Sequence, residues 1–490
     1  MPNVRKNHLL LFFGLLVICQ VVLHIEFLDR VLSGTHLWRQ SQTQNNITNF
    51  YRQDFNILNP RDMSFDSDKD NIIRYEFPIM QWSIALLYKI FGESILITRL
   101  AMLAISLWAC MGMYRLIYAL TRYVPVAMLT SWSFSFSPVF FYYAINPLPD
   151  ILALAAIIWF LCYYVRFIRG EKYRDYLCAA AFLLLATLAK LPYLMAGIIL
   201  AGHGIDVLIR KGWEKRYMSG RFLLRMVSLP LILLPALIWY YIVIPGWGTN
   251  GVLTGVFDNQ ISWDRFWMIF NFHWKKLLPY ELLGTLNIPF FIIGLAGILT
   301  TRLRHSPYFL PILSVLLITV LYFLLEINMI DIVHDYYMMP FLPSIFVICG
   351  AGIYFIYHSK FKFLVLLLAI LPVITYMNKK KAYFNYSGKT EQVLVENAEV
   401  FRKAVPKGER CILINDRSTH MFAYLVDKQG YIFYNDHLPI EWIDDMVRNY
   451  NVRYMYSDSR IIDNGPEFRP YVDSLLLDKG GVRVFKLKIP

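Results

Sequence analysis

The chain is written as long apolar stretches broken by shorter polar ones. Runs long enough to cross a bilayer, or nearly so, recur at His8–Leu28, Leu96–Leu120, Val124–Tyr143, Ile151–Phe167, Tyr176–Ala189, Tyr193–Leu208, Phe222–Ile244, Leu286–Thr300, Tyr308–Leu325, Met338–Tyr357 and Phe361–Tyr376. They predict eleven membrane helices, with two short halves meeting at Lys190-Leu191-Pro192. Two polar stretches interrupt the pattern. The first, Asp29–Ile95, separates the first two runs; within it Ser41–Asp54 has helical spacing, with Ile47, Phe50 and Tyr51 on one side, and predicts an interfacial helix lying on the membrane. The second begins at Asn378. There Cys411–Ile414, Tyr431–Tyr434, Val452–Tyr456 and Val482–Leu487 read as strands, and Ser418–Asp427, Ile440–Asn449 and Phe468–Leu477 as helices. The expected organisation is a transmembrane domain over 1–377, including the loop 29–95, followed by a small α/β domain over 378–490.

Composition agrees with this pattern and narrows it. With 57% hydrophobic and 17% charged residues in 490, there is too little polar surface to cover a soluble body, so the chain is expected to be a polytopic membrane protein. The net charge of +13 does not point to nucleic acid, because many basic residues sit in short loops between apolar runs rather than on one soluble face. Arg5 and Lys6 precede the first run as in a signal peptide, but that run is long enough to span and no small-x-small cleavage site follows, so it reads as a retained anchor. Lys and Arg concentrate in Arg166–Asp175, Arg210–Arg221, Thr301–Pro307 and His358–Lys360, which places these loops and the N-terminus on the cytoplasmic side. An odd number of spans then sends 378–490 outside, and an inner (plasma) membrane location is expected. The six cysteines show no pairing or Cys-x-x-Cys spacing, which argues for neither disulfides nor zinc.

Charges at the edge of a bilayer are costly and therefore mark places where chemistry can sit. In the first loop, Trp38-Arg39-Gln40 combines an aromatic, a cation and an amide; Arg39 is either a phosphate ligand or a snorkelling anchor. Asp62, Asp66, Asp68 and Asp70 crowd a short segment without the Gly and closing Glu of a calcium loop, so the last three read as solvated. Glu76, just before Phe77-Pro78, is either a tuned base or a helix cap. Asp150, after Asn146-Pro147-Leu148-Pro149, opens a span and is either a cap or a catalytic carboxylate. Arg99 and Lys190 are the further cations at the same edge, and His334 and Tyr337 lie in an acidic, aromatic segment before a later span. In the last domain, Asp416, His420, Asp436 and His437 lack metal-ligand spacing and read as solvated charges of an accessory domain.

Taken in order, Glu76-Phe77-Pro78, Phe91-Gly92-Glu93 with Arg99, Pro149-Asp150, Lys190-Leu191-Pro192 and His334-Asp335-Tyr336-Tyr337-Met338-Met339-Pro340 resemble the GT-C membrane glycosyltransferases over roughly Leu9 to Tyr357. Within them the chain is similar to the branch of protein O-mannosyltransferases, lipid A aminoarabinose transferases and Rgt-type envelope sugar transferases. The resemblance implies a GT-C-like helical fold and a polyprenyl-phosphate sugar as donor. It also implies inverting transfer of a hexosyl or pentosyl group, at the outer face, to a lipid, glycan or protein hydroxyl. That family carries an acidic residue, often Asp-Glu, early in the first outer loop. This chain departs there: it reads Trp38-Arg39-Gln40, as a sub-branch does, and no carboxylate lies between Thr35 and Arg52.

Inversion at an anomeric carbon needs a carboxylate for the acceptor proton and cations for the leaving lipid phosphate. Glu76, Asp62 or Asp150 is the expected base; Trp38, Arg39, Gln40, Arg99 and Lys190 are the expected carrier-binding residues, with His334 and Tyr337 lining the carrier's entrance. No ligand set demands a metal, although a divalent cation could bridge carboxylates and phosphate. The rival readings are a polyprenyl-linked glycan flippase, which would use the same cations without a base, and a non-catalytic envelope scaffold.

Overall fold

A computed structural model describes residues 2–65, 70–170, 172–200, 220–247, 261–301, 309–416 and 418–490. The apolar runs are helical over most of their described residues. Among the described residues six helices are long and apolar enough to span a bilayer: Asn7–His24 (within α1, Pro2–His24), Ile95–Thr121 (α4), Pro149–Gly170, Val227–Trp247, Asp335–Tyr357 and Lys362–Phe384. A further pair, Trp263–Leu283 and Thr285–Thr300, is bent by 95° between its halves. The eleven expected spans are therefore uneven. Val124–Tyr143, for example, splits into α5 (Val124–Ser135) and α6 (Pro138–Tyr143), because Pro138 cannot donate to the preceding turn and starts a new helix. The second half of Tyr193–Leu208 lies outside the described residues.

The bundle packs closely where side chains are smallest. Between the helices Ile288–Thr300 and Leu342–Tyr357, a Cβ on Gly294 would lie 1.9 Å from the Ile348 carbonyl oxygen, and one on Gly352 would lie 1.8 Å from that of Phe290. Only glycine lets two backbones approach so far in this environment.

The helix α2 (Leu37–Arg52) differs from expectation. It is not laid on a membrane surface: 12 of its 16 residues are buried, most of them polar. One side packs on α3 (Ile79–Phe91) and another on the Met421–Val426 helix of the last domain. Several of its amide N–H groups are used inside this sandwich: Gln44 donates to the Tyr88 hydroxyl at 2.9 Å, and Asn45 to the His420 carbonyl at 3.2 Å. Asn46 and Asn49 both donate to the Arg61 carbonyl, at 2.8 and 3.0 Å. A helix so polar could be buried only with such partners.

The last domain is a five-stranded sheet of order β2-β1-β3-β5-β4, with β1 (Cys411–Ile414), β2 (Gly430–Phe433), β3 (Tyr454–Ser457), β4 (Val472–Lys479) and β5 (Val482–Leu487). β1 runs parallel to β2 and β3, and β5 antiparallel to β3 and β4. Four strands and two helices fall where the pattern put them. The third expected helix, Phe468–Leu477, is instead a short turn followed by β4. β4 is an exposed edge strand with register shifts between Val472 and Ser474 and between Leu475 and Leu477, and these break the period of two by which a strand is recognised. Residues from the first loop, Leu32, Leu37 and Met63, share one hydrophobic core with this domain. The helix Leu371–Lys380 also runs across the boundary expected at 377.

Candidate active site

Two proline turns and one backbone tie build the site. Pro78 opens α3, so Glu76 stands in the irregular segment just before it; the Phe77 N–H donates to the Leu188 carbonyl at 3.1 Å and joins that segment to the end of α8 (Tyr173–Ala189). The helix stops there, with Lys190 extended and Pro192 opening the next turn. Glu76 and Lys190 are thereby held near each other. From the other side, Asn146-Pro147-Leu148 leads into α7 (Pro149–Gly170), whose first turn carries Asp150. Arg39 enters from the first turn of α2.

The four charges meet in two pairs. Arg39 Nη2 donates to Glu76 Oε1 at 2.6 Å, and Lys190 Nζ lies 3.7 Å from Asp150 Oδ2. Arg39 also donates through Nη1 to Gln42, and Gln81 reaches Glu76 Oε1 at 3.5 Å. Lys190 sits 5.3 Å over the Tyr337 ring. Burial works against the charge on Arg39, yet Glu76, followed by Tyr336 and Asp150, outweighs it and holds the guanidinium above its ordinary value. Burial likewise pushes the Glu76 carboxyl up, but Arg39 and then Lys190 overcome this and keep it below the usual carboxylate range. Both groups of this pair are thus ionised and buried, an arrangement that costs desolvation and is retained where the charges do work.

Other expected residues are placed differently. Arg99, 1% exposed, donates to Asn146 at 2.9 Å and to the Arg30 carbonyl at 3.3 Å, so it ties loops together within the protein. Gln40 donates to the Thr35 carbonyl and the Tyr142 hydroxyl and braces the start of α2. Asp62 pairs with His420 Nδ1 at 2.8 Å, which pins the first loop to the last domain. Asp416 is buried and accepts from the Phe422 and Ala423 N–H groups, so it and His420 are structural ties rather than solvated charges. Asp66 and Asp68 lie outside the described residues. Among the described residues no three His, Cys, Asp or Glu side chains stand together as metal ligands.

Trp38, His334 and Tyr337 belong to an aromatic wall beside the charges. The Trp38 and His334 rings stand edge to face at 5.8 Å, and His334 meets Tyr336 at 5.7 Å and Tyr337 at 5.3 Å. The pattern missed one member of this wall. His36 stands in the left-handed region at φ +57°, with its ring 5.2 Å from Tyr336 and its Nε2 3.2 Å from Asp335 Oδ1. In the sequence its only signal is a position three residues before Arg39. Beyond the wall a cleft of about 1280 Å³ opens between the bundle and the last domain, lined by His36, Trp38 and Asp335 on one side and Glu391, Asp416 and Asp458 on the other.

Fold and site together define a polytopic helical membrane protein with a buried array of two cations and two carboxylates under a soluble α/β domain. The chain has the GT-C fold of membrane glycosyltransferases. Residues 76–239 match the family of dolichyl-phosphate-mannose-protein mannosyltransferases. The structure is similar to ArnT from Cupriavidus metallidurans in the apo state, at 13% identity and a TM-score of 0.64, over 99% of this chain and 98% of that one. It is also similar to the same protein bound to undecaprenyl phosphate, at 13% identity and a TM-score of 0.66, with 98% of each chain covered. The oligosaccharyltransferase of Archaeoglobus fulgidus in the apo form is similar at 13% identity and a TM-score of 0.56, over 95% of this chain and 73% of that one. No curated protein matches the sequence.

Proposed function

We propose that this protein transfers a sugar from a polyprenyl-phosphate carrier to a hydroxyl acceptor at the outer face of the membrane, with inversion at the anomeric carbon. The observation that carries this reading is the pairing of Arg39 with Glu76 and Lys190 with Asp150 within one buried array. A lipid phosphate entering it would meet two cations already desolvated and oriented by their carboxylates. Support for the carrier comes from the fold: a relative in structure, ArnT, is seen bound to undecaprenyl phosphate. Arg39 and Lys190 then stabilise the leaving phosphate, Glu76 and Asp150 hold those cations in register, and His334 and Tyr337 line the carrier's approach. Trp38 stands between the array and the cleft.

The test is release of free polyprenyl phosphate from a polyprenyl-phosphate monosaccharide by the purified protein in lipid nanodiscs supplied with envelope glycans. Wild type is expected to release it and to label the acceptor. Arg39→Ala and Lys190→Ala should each lose at least about tenfold in kcat/KM, the cost of one charged hydrogen bond. Full activity in both variants would remove this reading.

A further inference from the structure

The reading above leaves one role unfilled. Glu76 is committed to Arg39, Asp150 to Lys190 and Asp62 to His420, so each expected base already has a cation or imidazole on it. Glu76, hydrogen-bonded by the guanidinium, is thereby a weakened proton acceptor.

We propose that His36, oriented by Asp335, is the general base, and that the cleft in front of it takes an uncharged or cationic polyhydroxylated acceptor. The inference rests on the glycosyl-transfer reading of the same site. His36 faces Asp335 through Nε2, and Asp335 Oδ1 also accepts from the Tyr143 hydroxyl at 2.7 Å, so the carboxylate fixes both the orientation and the tautomer of the ring. Tyr336 closes one edge of the imidazole at 5.2 Å, and the His334 ring lies 6.2 Å away. The His36 side chain is only 7% exposed, lines the cleft, and has no hydrogen-bond partner on Nδ1 among the described residues. A nearly buried ring with one nitrogen anchored and the other left to the cavity is the arrangement of a base, not of a packing residue. Its left-handed backbone agrees: φ of +57° is strained for a histidine, and such strain is held at working sites.

The cleft itself selects for charge. Among the described lining residues, six are acidic, Glu281, Asp335, Glu391, Asp416, Asp436 and Asp458, of which Glu281 is paired with Lys379 and Asp335 with His36, against the single lining ammonium of Lys389. Glu391 is 4% exposed, and its Oε1 is buried without a hydrogen-bond partner, leaving an acceptor for a ligand hydroxyl. An anionic acceptor, such as a phosphorylated lipid headgroup, would be repelled from such a cavity; a sugar presenting hydroxyls, or an amino sugar, would not.

In the step, the acceptor O–H gives its proton to His36 Nδ1 while its oxygen bonds the anomeric carbon. The anomeric C–O bond breaks with its electron pair leaving on the lipid phosphate oxygen, next to Arg39 and Lys190. The imidazolium then returns its proton to solvent through the cleft.

The experiment compares wild type with His36→Gln and His36→Ala in the same nanodisc assay, with carrier binding measured separately by polyprenyl phosphate titration. The expected results are a kcat loss on the order of 10²–10⁴-fold in both variants with carrier affinity unchanged, and partial recovery of His36→Ala on adding imidazole. The acid limb of the wild-type pH profile, where the ring is protonated and idle, should be absent in His36→Gln. Asp335, Tyr143, His334, Tyr336 and Lys379 also face this ring or its carboxylate, so the same limb is followed in Asp335→Asn and His334→Gln: it should move in the first and stay in the second. Full activity of His36→Gln, or a loss with neither imidazole rescue nor a changed limb, would overturn the proposal. Transfer to a phosphorylated lipid in preference to a neutral glycan would overturn the acceptor class. Absence of any transfer by wild type would instead bring down the glycosyltransferase reading beneath it.

Discussion

Arg39 shows what a single side chain contributes to this site. Its two terminal nitrogens go to different partners, Gln42 and Glu76, and a lysine has no second fork with which to do this. Arg39→Lys should therefore raise the KM for the polyprenyl-phosphate sugar by about tenfold, the cost of one charged hydrogen bond, while leaving the protein folded; titration of the carrier at fixed acceptor checks it. Charges at a bilayer edge are legible because their cost demands a reason, which is why Arg39, Glu76, Asp150 and Lys190 could be named from the sequence. Arg99 and Gln40, named by the same logic, make contacts within the protein, to the Asn146 amide and Arg30 carbonyl and to the Thr35 carbonyl and Tyr142 hydroxyl. His36 escaped notice because its meaning depends on Asp335, some three hundred residues away in sequence.

At the level of elements, α2 is the piece on which the site depends and the one the pattern misplaced. Its apolar residues suggested a membrane surface, but the last domain covers it, joined by contacts such as Asn45 to the His420 carbonyl that no local pattern encodes. The approach to α2 is equally constrained. Gly34 has φ +90°, and a Cβ there would lie 2.1 Å from the Ala382 carbonyl oxygen, so Gly34→Ala should destabilise the protein by roughly 2 kcal/mol or more, read as a lowered Tm. The cover over α2 should also respond to pH. Burial pulls the His420 imidazole down, but Asp62, at 2.8 Å, outweighs it and leaves the ring above its ordinary value. A raised folded value stabilises fully below the unfolded imidazole value and is lost as pH climbs through the folded one. Hydrogen-exchange protection over Leu37–Arg52 and Met421–Val426 should accordingly decline as pH rises above the ordinary imidazole value of about 6.5, and His420→Gln should make it lower and flat. A decline unchanged in His420→Gln would contradict this. The sheet was mostly legible, with β4 lost because its bulges hide the strand period.

For the whole molecule, the apolar runs were enough to show a polytopic membrane protein, since hydropathy reports membrane burial residue by residue, and the resemblance of the motifs between them pointed to the GT-C fold. Lengths were less legible: helices interrupted at Phe136-Ser137 or at Lys190 depend on how neighbours support a short span. If the basic loops are cytoplasmic, an alkaline phosphatase reporter fused after Pro490 should be active and one fused at Ser359 inactive, placing the last domain and its cleft outside. The decisive measurement is the fate of a polyprenyl-phosphate monosaccharide labelled in its sugar, given to the purified wild-type protein in nanodiscs with a neutral envelope glycan. Label on the glycan together with free polyprenyl phosphate, both abolished in Arg39→Ala, is the expected result. Label remaining on the carrier while an intact lipid-linked glycan crosses the bilayer in the same preparation would contradict it and mark a flippase instead.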